Sequence, residues 1–144
     1  MIFWDASAII PLCVEEPFTR TTRSILKDDP SMAVWWGSVP ECRSAFARLR
    51  RRGAMDAEDE EQALGLLTLL SDRWTEILPG NDLRDLAGRI LAVHPLSAAD
   101  ALQLAAALVW CGKNPGGRRF ACLDLKLRDA ARKEGFKLLP EKMP

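Results

Sequence analysis

Short apolar stretches recur along the chain, and longer amphipathic stretches separate them. The apolar stretches have the length of buried strands and lie at residues 2–4, 32–36, 74–78, 119–123 and 136–139. The segments between them carry apolar residues at helical spacing, at about residues 6–12, 18–27, 38–52, 56–72, 82–93, 97–110 and 125–134. Short buried strands that alternate with helices form parallel sheets covered on both faces. The pattern therefore predicts an α/β fold with a central parallel sheet of four to five strands, covered by helices on both faces.

Length and charge limit the class of protein. The 144 residues are enough for one domain with a sizeable core, which we expect to span 1–144. The formal net charge is zero, so a nucleic-acid partner would have to be bound by local basic patches. The sequence has no long apolar run and no leader-like start, and we therefore expect a cytoplasmic protein. The cysteines form no CxxC pair, which argues against a zinc site. We expect all four to be small buried hydrophobic residues: Cys13, Cys42, Cys111 and Cys122.

Four acidic residues stand where strands and helices join. Asp5 and Asp124 each end a predicted strand, Glu41 lies in the first turn of the third helix, and Asp100 lies in the first turn of the helix after Ser97. In open parallel sheets, ligands bind at the carboxyl ends of the strands, where the strand order reverses. We therefore expect the four carboxylates to meet at this edge.

Helix capping is the simpler explanation for each acid taken alone. Asp5 and Asp124 are credible N-caps, because a short polar side chain before a helix accepts hydrogen bonds from its free N–H groups. Ser38 with Glu41, and Ser97 with Asp100, both fit the capping box. Capping alone would account for the pattern, and it is compatible with a second role for the same side chains.

Convergence of the four acids would require a counter-charge. Carboxylates within a few ångströms of one another repel, so that some take up protons or a divalent cation binds between them. Oxygen ligands without histidine or thiolate favour Mg²⁺ or Mn²⁺ over zinc. Such an ion can activate water for attack on a phosphodiester, so the pattern favours metal-dependent hydrolysis of nucleic acid.

Four segments together resemble a known family. They are IFWDASAII around Asp5, SVPECRSAFARL around Glu41, HPLSAADALQLAAAL around Asp100 and FACLDLKLRDAARKEGF around Asp124. In this order and spacing they resemble a PIN-domain ribonuclease and, within that family, the VapC-type toxin of a bacterial type II toxin–antitoxin pair. The third and fourth segments together carry most of the specificity.

The resemblance implies a three-layer α/β/α sandwich with an acidic Mg²⁺ or Mn²⁺ site formed by Asp5, Glu41, Asp100 and Asp124. It also implies that Ser7 supports the metal-site network. The family often has Ser or Thr two residues before the last Asp, where this chain has Cys122 and so lacks an oxygen donor. Asp129 lies one helical turn beyond Asp124, and we interpret it as a solvated helix residue. The implied activity is endoribonucleolytic cleavage that inhibits translation or growth.

The partners expected from the resemblance are an RNA substrate, a VapB-type antitoxin and a second copy of the chain. The helix stripe formed by Ala63, Leu66, Leu67 and Leu70 would pack in the core by default, and the resemblance assigns this region to the dimer and the antitoxin. Two interpretations remain open for the arginines near Glu41: a solvated helix end, or phosphate binding that draws RNA towards the acids. These residues are Arg43, Arg48, Arg50, Arg51 and Arg52.

Other classes of function have weaker support. The chain has one histidine, His94, and no nucleophile elbow of the GxSxG type. A structural or surface role for His94 is therefore favoured over membership of a hydrolase triad. The phosphate loops of nucleotide-binding proteins are missing, and Ser7 stands where a haloacid-dehalogenase phosphatase needs a second Asp. Trp35 and Trp36 could stack on bases, but strand alternation places at least one of them in the core. The main alternative is a catalytically impaired PIN-like domain that binds RNA or protein.

Overall fold

The structure is a computed structural model that describes residues 1–143. These residues form five strands and seven helices. The strands are β1 (Ile2–Trp4), β2 (Met32–Trp35), β3 (Thr75–Ile77), β4 (Arg119–Ala121) and β5 (Lys137–Leu139). The helices are α1 (Ala6–Cys13), α2 (Thr19–Asp28), α3 (Ser38–Arg51), α4 (Ala57–Ser71), α5 (Asn81–Val93), α6 (Ala98–Trp110) and α7 (Leu125–Glu134).

The strands form one parallel sheet in the order β3-β2-β1-β4-β5. Successive residues of a strand face opposite sides of the sheet, and both sides are covered. Phe3 packs with α5, α6 and α7, while its neighbours Ile2 and Trp4 pack with α1, α3 and α4. The predicted α/β/α sandwich with a parallel sheet is therefore confirmed.

The strand order reverses between β1 and β4. The chain leaves β1 towards β2 on one side, and it later returns to pair β4 with the other side of β1. The Asp5 N–H donates to the Ala121 carbonyl at 2.9 Å, so the two strands stay together as they end. This reversal at the carboxyl ends is the place where open α/β sheets bind ligands.

Helix capping follows the prediction at three starts and departs from it at one. Asp5 caps α1, Ser97 caps α6 and Asp124 caps α7, each through its side chain. The capping box predicted for Ser38 and Glu41 is wrong, because α3 starts after Gly37 and Ser38 is its first residue. The Ser38 hydroxyl is instead buried and accepts a hydrogen bond from α6, so a tertiary contact has replaced the local one.

Strand ends also differ slightly from the prediction. β2 ends at Trp35, and β4 ends at Ala121 rather than at residue 123. After β4, Asp124 caps the helix that follows, whereas the helix after β2 begins after Gly37 without a side-chain cap. No helix among residues 1–143 has the length and apolar character needed to cross a bilayer.

Candidate active site

Asp5 lies at the carboxyl end of β1 and is almost completely buried, with 4% of its surface exposed. Its Oδ2 accepts hydrogen bonds from the N–H and the hydroxyl of Ser7. Burial raises the pKa of Asp5 from 3.8 to about 6; the Ser7 hydrogen bonds lower it in part, and the charges of Asp100 and Asp124 raise it further. A carboxylate in this position is costly to ionise without a counter-charge.

Ser7 links α1 to the segment after β4. While donating to Asp5, its hydroxyl accepts from the Leu123 N–H at 2.9 Å. The Sγ of Cys122 lies 3.7 Å from both the Ser7 Oγ and the Asp5 Oδ2. The serine therefore fixes Asp5 relative to the chain that leads to Asp124, and the Cys122 thiol is packed against the same carboxylate.

Glu41 is half-buried in the first turn of α3 and is positioned by Gln103. The Gln103 amide is buried in α6, and its Nε2 donates to both the Glu41 Oε2 and the Ser38 Oγ. Burial raises the pKa of Glu41 from 4.5 to about 7; the charges of Asp5 and Asp100 add to the rise, and the Gln103 hydrogen bond opposes it. α3 and α6 are thus joined through a polar contact next to the acids.

Asp100 and Asp124 complete the acidic group. Asp100 lies in the first turn of α6, and burial followed by the charge of Asp124 raises its pKa. Asp124 is exposed, and its Oδ1 accepts from the Leu127 N–H at 2.9 Å as the cap of α7. The charge of Asp124 raises the pKa of Asp5 and Asp100, and the charges of Asp5 and Asp100 raise that of Glu41, so neighbouring members of the group interact at one edge of the sheet.

The acids border an open cavity of about 500 Å³ between α1, α3 and α6, which we call the acid cavity. Asp5, Glu41 and Asp100 line it, together with Ser7 and Arg48. The structure thus brings three of the predicted acids onto one cavity, and Asp124 is not part of its lining. Carboxylates from three different segments and one guanidinium therefore line the same cavity.

The chemistry of these donors fits a hard divalent cation, because every candidate ligand is a carboxylate oxygen and the acids raise one another's pKa values. Within residues 1–143, however, no group of three or more His, Cys, Asp or Glu side chains is arranged to hold a metal ion. The side chains in these positions do not form a closed set of ligands.

The predicted arginines separate into different environments. Arg48 lines the acid cavity and donates to the Ser44 Oγ at 3.2 Å. It also lines a neighbouring cavity that contains Arg52 and Glu16. Arg50 lies 3.7 Å from Glu60 instead, while Arg43 and Arg51 are exposed on α3. The geometry thus favours phosphate contact for Arg48 more than for the others.

Several residues outside the acidic group behave as expected. His94 is buried, and its Nε2 lies 2.7 Å from a Glu134 oxygen, which is a structural role. Asp129 is exposed and pairs with Lys133. Trp35 is buried and Trp36 is 52% exposed. The cysteines at 13, 42, 111 and 122 are buried and unpaired.

The sequence interpretation missed Gln103. The residue stands three positions after Asp100, on the same side of an otherwise apolar helix. An amide in such a stripe must be hydrogen-bonded when it is buried, and the spacing could have indicated a partner near the acids.

Comparison with known proteins supports the fold and nothing finer. No family model and no curated protein matches the sequence. Among solved structures, the chain is similar to VapC20 of Mycobacterium tuberculosis, described as a toxin that cleaves the Sarcin-Ricin loop, with 19% identity, a TM-score of 0.69 and 100% of both chains covered.

Two further structures are similar over most of their length. One is VapBC2 of Rickettsia felis bound to a DNA fragment from its promoter, with 12% identity, a TM-score of 0.67, and coverage of 96% of this chain and 97% of that one. The other is FitAcB of Neisseria gonorrhoeae, with 17% identity, a TM-score of 0.65, and coverage of 92% and 94%. At these identities the likeness establishes a shared fold alone.

Proposed function

We propose that the chain is an endoribonuclease dependent on Mg²⁺ or Mn²⁺, and that it is the toxin of a toxin–antitoxin pair. The observation that carries the proposal is the group of four acids at the point where the strand order reverses, three of them on one open cavity. Capping alone does not require this convergence. A buried carboxylate with a pKa near 6 is costly to keep for capping, because asparagine caps equally well.

Each side chain has a task that follows from its position. Asp5, Glu41, Asp100 and Asp124 would hold the cation, which when bound would polarise the phosphodiester and activate water. Ser7 holds the Asp5 carboxylate in place, and the Gln103 amide holds that of Glu41. Glu41 and Asp100 are half-buried on the cavity and can accept a proton from water at a carboxylate oxygen.

RNA would enter past Arg48. The guanidinium stands at the cavity that the acids line, and Arg52 follows it one helical turn later beside Glu16. Because the net charge of the chain is zero, this local pair supplies the attraction for phosphates that the whole molecule lacks. A strand lying along α3 would present its backbone to the acids.

An antitoxin would cover an apolar groove on the other side of α1. Leu12, Leu26, Leu66 and Leu69 line a cavity of about 350 Å³ between α1, α2 and α4, and arginines border it. Leu66 and Leu69 are exposed, so part of the predicted stripe on α4 is left outside the core. An amphipathic antitoxin helix would bury these leucines, and the homodimer remains a prediction from the resemblance.

The direct test is RNA cleavage by the full chain. We expect cleavage of single-stranded RNA with Mn²⁺, no cleavage with EDTA, and no cleavage by Asp5→Asn under either condition. Asp28→Asn, an exposed residue at the end of α2, is the matched control and should cleave like the parent chain. Cleavage that persists in EDTA and in Asp5→Asn would refute the proposal. Growth arrest on induced expression, relieved by Asp5→Asn, would test the toxin role.

One observation favours the alternative of a binding domain that does not cleave. The Cys122 thiol stands against Asp5 where the family often has a hydroxyl, and a thiol is a weak hydrogen-bond donor. RNA binding that Mn²⁺ strengthens without any product would support this alternative. Cleavage gained on Cys122→Ser would then identify the thiol as the cause.

A further inference from the structure

A second cavity opens at the same edge of the sheet, above β2 and β3. It has a volume of about 320 Å³ and lies between the end of β2, the turn into α5, and α6; we call it the edge cavity. This volume is at the lower end of the range of about 300–1,000 Å³ typical of small-molecule sites, which suits one flat ring system. Its walls combine apolar surface with an amide and a guanidinium, from Trp35, Pro79, Asn81, Leu83, Arg84 and Leu102.

The edge cavity lies next to the acid cavity, because α6 lines both and Trp35 touches the turn before α3. On α6, Ala99 lines the acid cavity and Leu102 lines the edge cavity, so the two linings are about 4.5 Å apart along the helix axis. At the start of α3, a Cβ on Gly37 would collide with the Trp35 Nε1. The indole that lines the edge cavity therefore lies against the helix that carries Glu41.

An exposed aromatic ring stands beside the edge cavity. Trp36 is 52% exposed, and its ring lies edge-on to Trp35 with centroids 6.3 Å apart. The Trp36 N–H donates to the Ile77 carbonyl at 3.0 Å, so the backbone that carries the ring is fixed to β3. An exposed indole carried on a fixed backbone is a surface on which a nucleobase can stack.

The Arg84 guanidinium is available to a ligand. Arg84 is exposed on the first turns of α5, and it takes no part in the ion pairs formed within residues 1–143. An arginine can bind the acceptor edge of a base or a phosphate, and the Asn81 amide beside it can donate and accept hydrogen bonds.

We propose that the edge cavity receives an unpaired nucleobase of the RNA, next to the phosphodiester that the acid cavity attacks. The inference rests on the proposed ribonuclease function and adds a base-binding subsite to it. Trp35 forms one wall of this subsite, Arg84 binds the polar edge of the base, and Trp36 stacks on the adjoining base. The subsite accepts single strands or loops, because a base paired in a helix cannot leave its stack without a cost in free energy.

The test measures binding apart from cleavage. The full chain in EDTA is titrated into a fluorescein-labelled single-stranded RNA of about twelve nucleotides, and into the same strand made with abasic residues, while anisotropy is recorded. We expect Arg84→Ala and Trp36→Ala each to weaken binding of the normal strand at least fivefold and to leave binding of the abasic strand unchanged. The matched controls are Arg20→Ala on α2 and Leu91→Ala on α5, both exposed and outside every cavity described above, and they should bind both strands like the parent.

Several outcomes would overturn the subsite. The first is that the Arg84→Ala and Trp36→Ala variants bind RNA like the parent. The second is that they lose affinity equally for the normal and the abasic strand, which would indicate phosphate contact alone. The third is that the parent chain binds no RNA. Displacement of the strand by nucleoside monophosphates at the concentration of the strand itself would identify free nucleotides as the ligand and would also overturn it. Circular dichroism shows whether each variant is folded. If Trp36→Ala does not fold, the RNA binding of Arg84→Ala still tests the subsite.

Failure of the subsite and failure of the proposed function can be told apart. Base-dependent binding by a parent chain that cuts nothing with Mn²⁺ would end the ribonuclease proposal and leave the subsite standing. A parent chain that cuts RNA, with variants that bind and cut like it, would end the subsite alone.

Discussion

The metal-free chain should become more stable when Asp5 is replaced by asparagine. Asp5 is buried, and its pKa rises from 3.8 to about 6 on folding. Because the folded state binds the proton more tightly, stability falls as the pH rises between these values and stays low above them. At about 1.4 kcal/mol per pH unit, ionised Asp5 costs the folded chain about 3 kcal/mol at neutral pH, as an upper limit.

Asparagine removes this charge and keeps most of the local contacts. Its Oδ1 can still accept from the Ser7 N–H, and asparagine is as good an N-cap as aspartate. The new amide N–H groups are buried, with the Ser7 hydroxyl and the Cys122 thiol as acceptors, and an imperfect fit there costs about 1–2 kcal/mol. We therefore expect a net gain of about 1–2 kcal/mol for Asp5→Asn near pH 8, and no gain near pH 4.

Urea unfolding in EDTA at the two pH values measures the effect, and a thermal melt should show a rise of about 3–6 °C at the higher pH. Asp28→Asn is the control and should change stability by less than about 0.5 kcal/mol. Excess Mn²⁺ should then stabilise the parent chain and have little effect on Asp5→Asn, since a ligand that binds only the folded state adds to its stability. A variant that is equally stable, or less stable, near pH 8 would refute the electrostatic reasoning.

Two further substitutions test the surroundings of the acids. Gln103→Leu should lower RNA cleavage by roughly 10- to 100-fold, because Glu41 loses the hydrogen bond that positions it. The free energy of unfolding in urea should stay near that of the parent, because the substitution also removes a buried amide oxygen that has no hydrogen-bond partner. Arg128→Met should lower the free energy of unfolding by about 2–4 kcal/mol, because the Cys122 and Pro140 carbonyls lose their donor. Arg132→Met, exposed on the same helix, should change little. Normal cleavage by the first variant or normal stability of the second would contradict these assignments.

The sheet and its acidic edge could be predicted because both depend on local patterns. A run such as Ile2–Trp4 is too short and too apolar to be anything but a buried strand when an acid and a helix follow it. The position of the acids then follows from the topology of parallel sheets, where the carboxyl ends of all strands share one edge. Asp5 and Asp124 needed no tertiary information beyond that rule.

The contacts that hold the acids could not be predicted in the same way. The partner of Gln103 lies 62 residues away in sequence, and the Ser38 hydroxyl left its expected capping position to meet the same amide. Strand alternation showed that one of Trp35 and Trp36 is buried, but which one depends on the register of β2 against β1. Such features arise when helices dock on the sheet, and a one-dimensional pattern does not encode the docking.

The competition between capping and chemistry is resolved by burial. Asp124 caps α7 from an exposed position, where helix capping is sufficient to account for the residue. Asp5 caps α1 from a buried position, where burial opposes its charge and the charges of two other acids add to the cost. Capping a helix does not require a buried ionised carboxylate, because serine, threonine or asparagine can cap a helix without a buried charge. The buried member of the group is therefore the residue whose acidity the capping explanation leaves unexplained, and the cation proposed for the acid cavity would stabilise it.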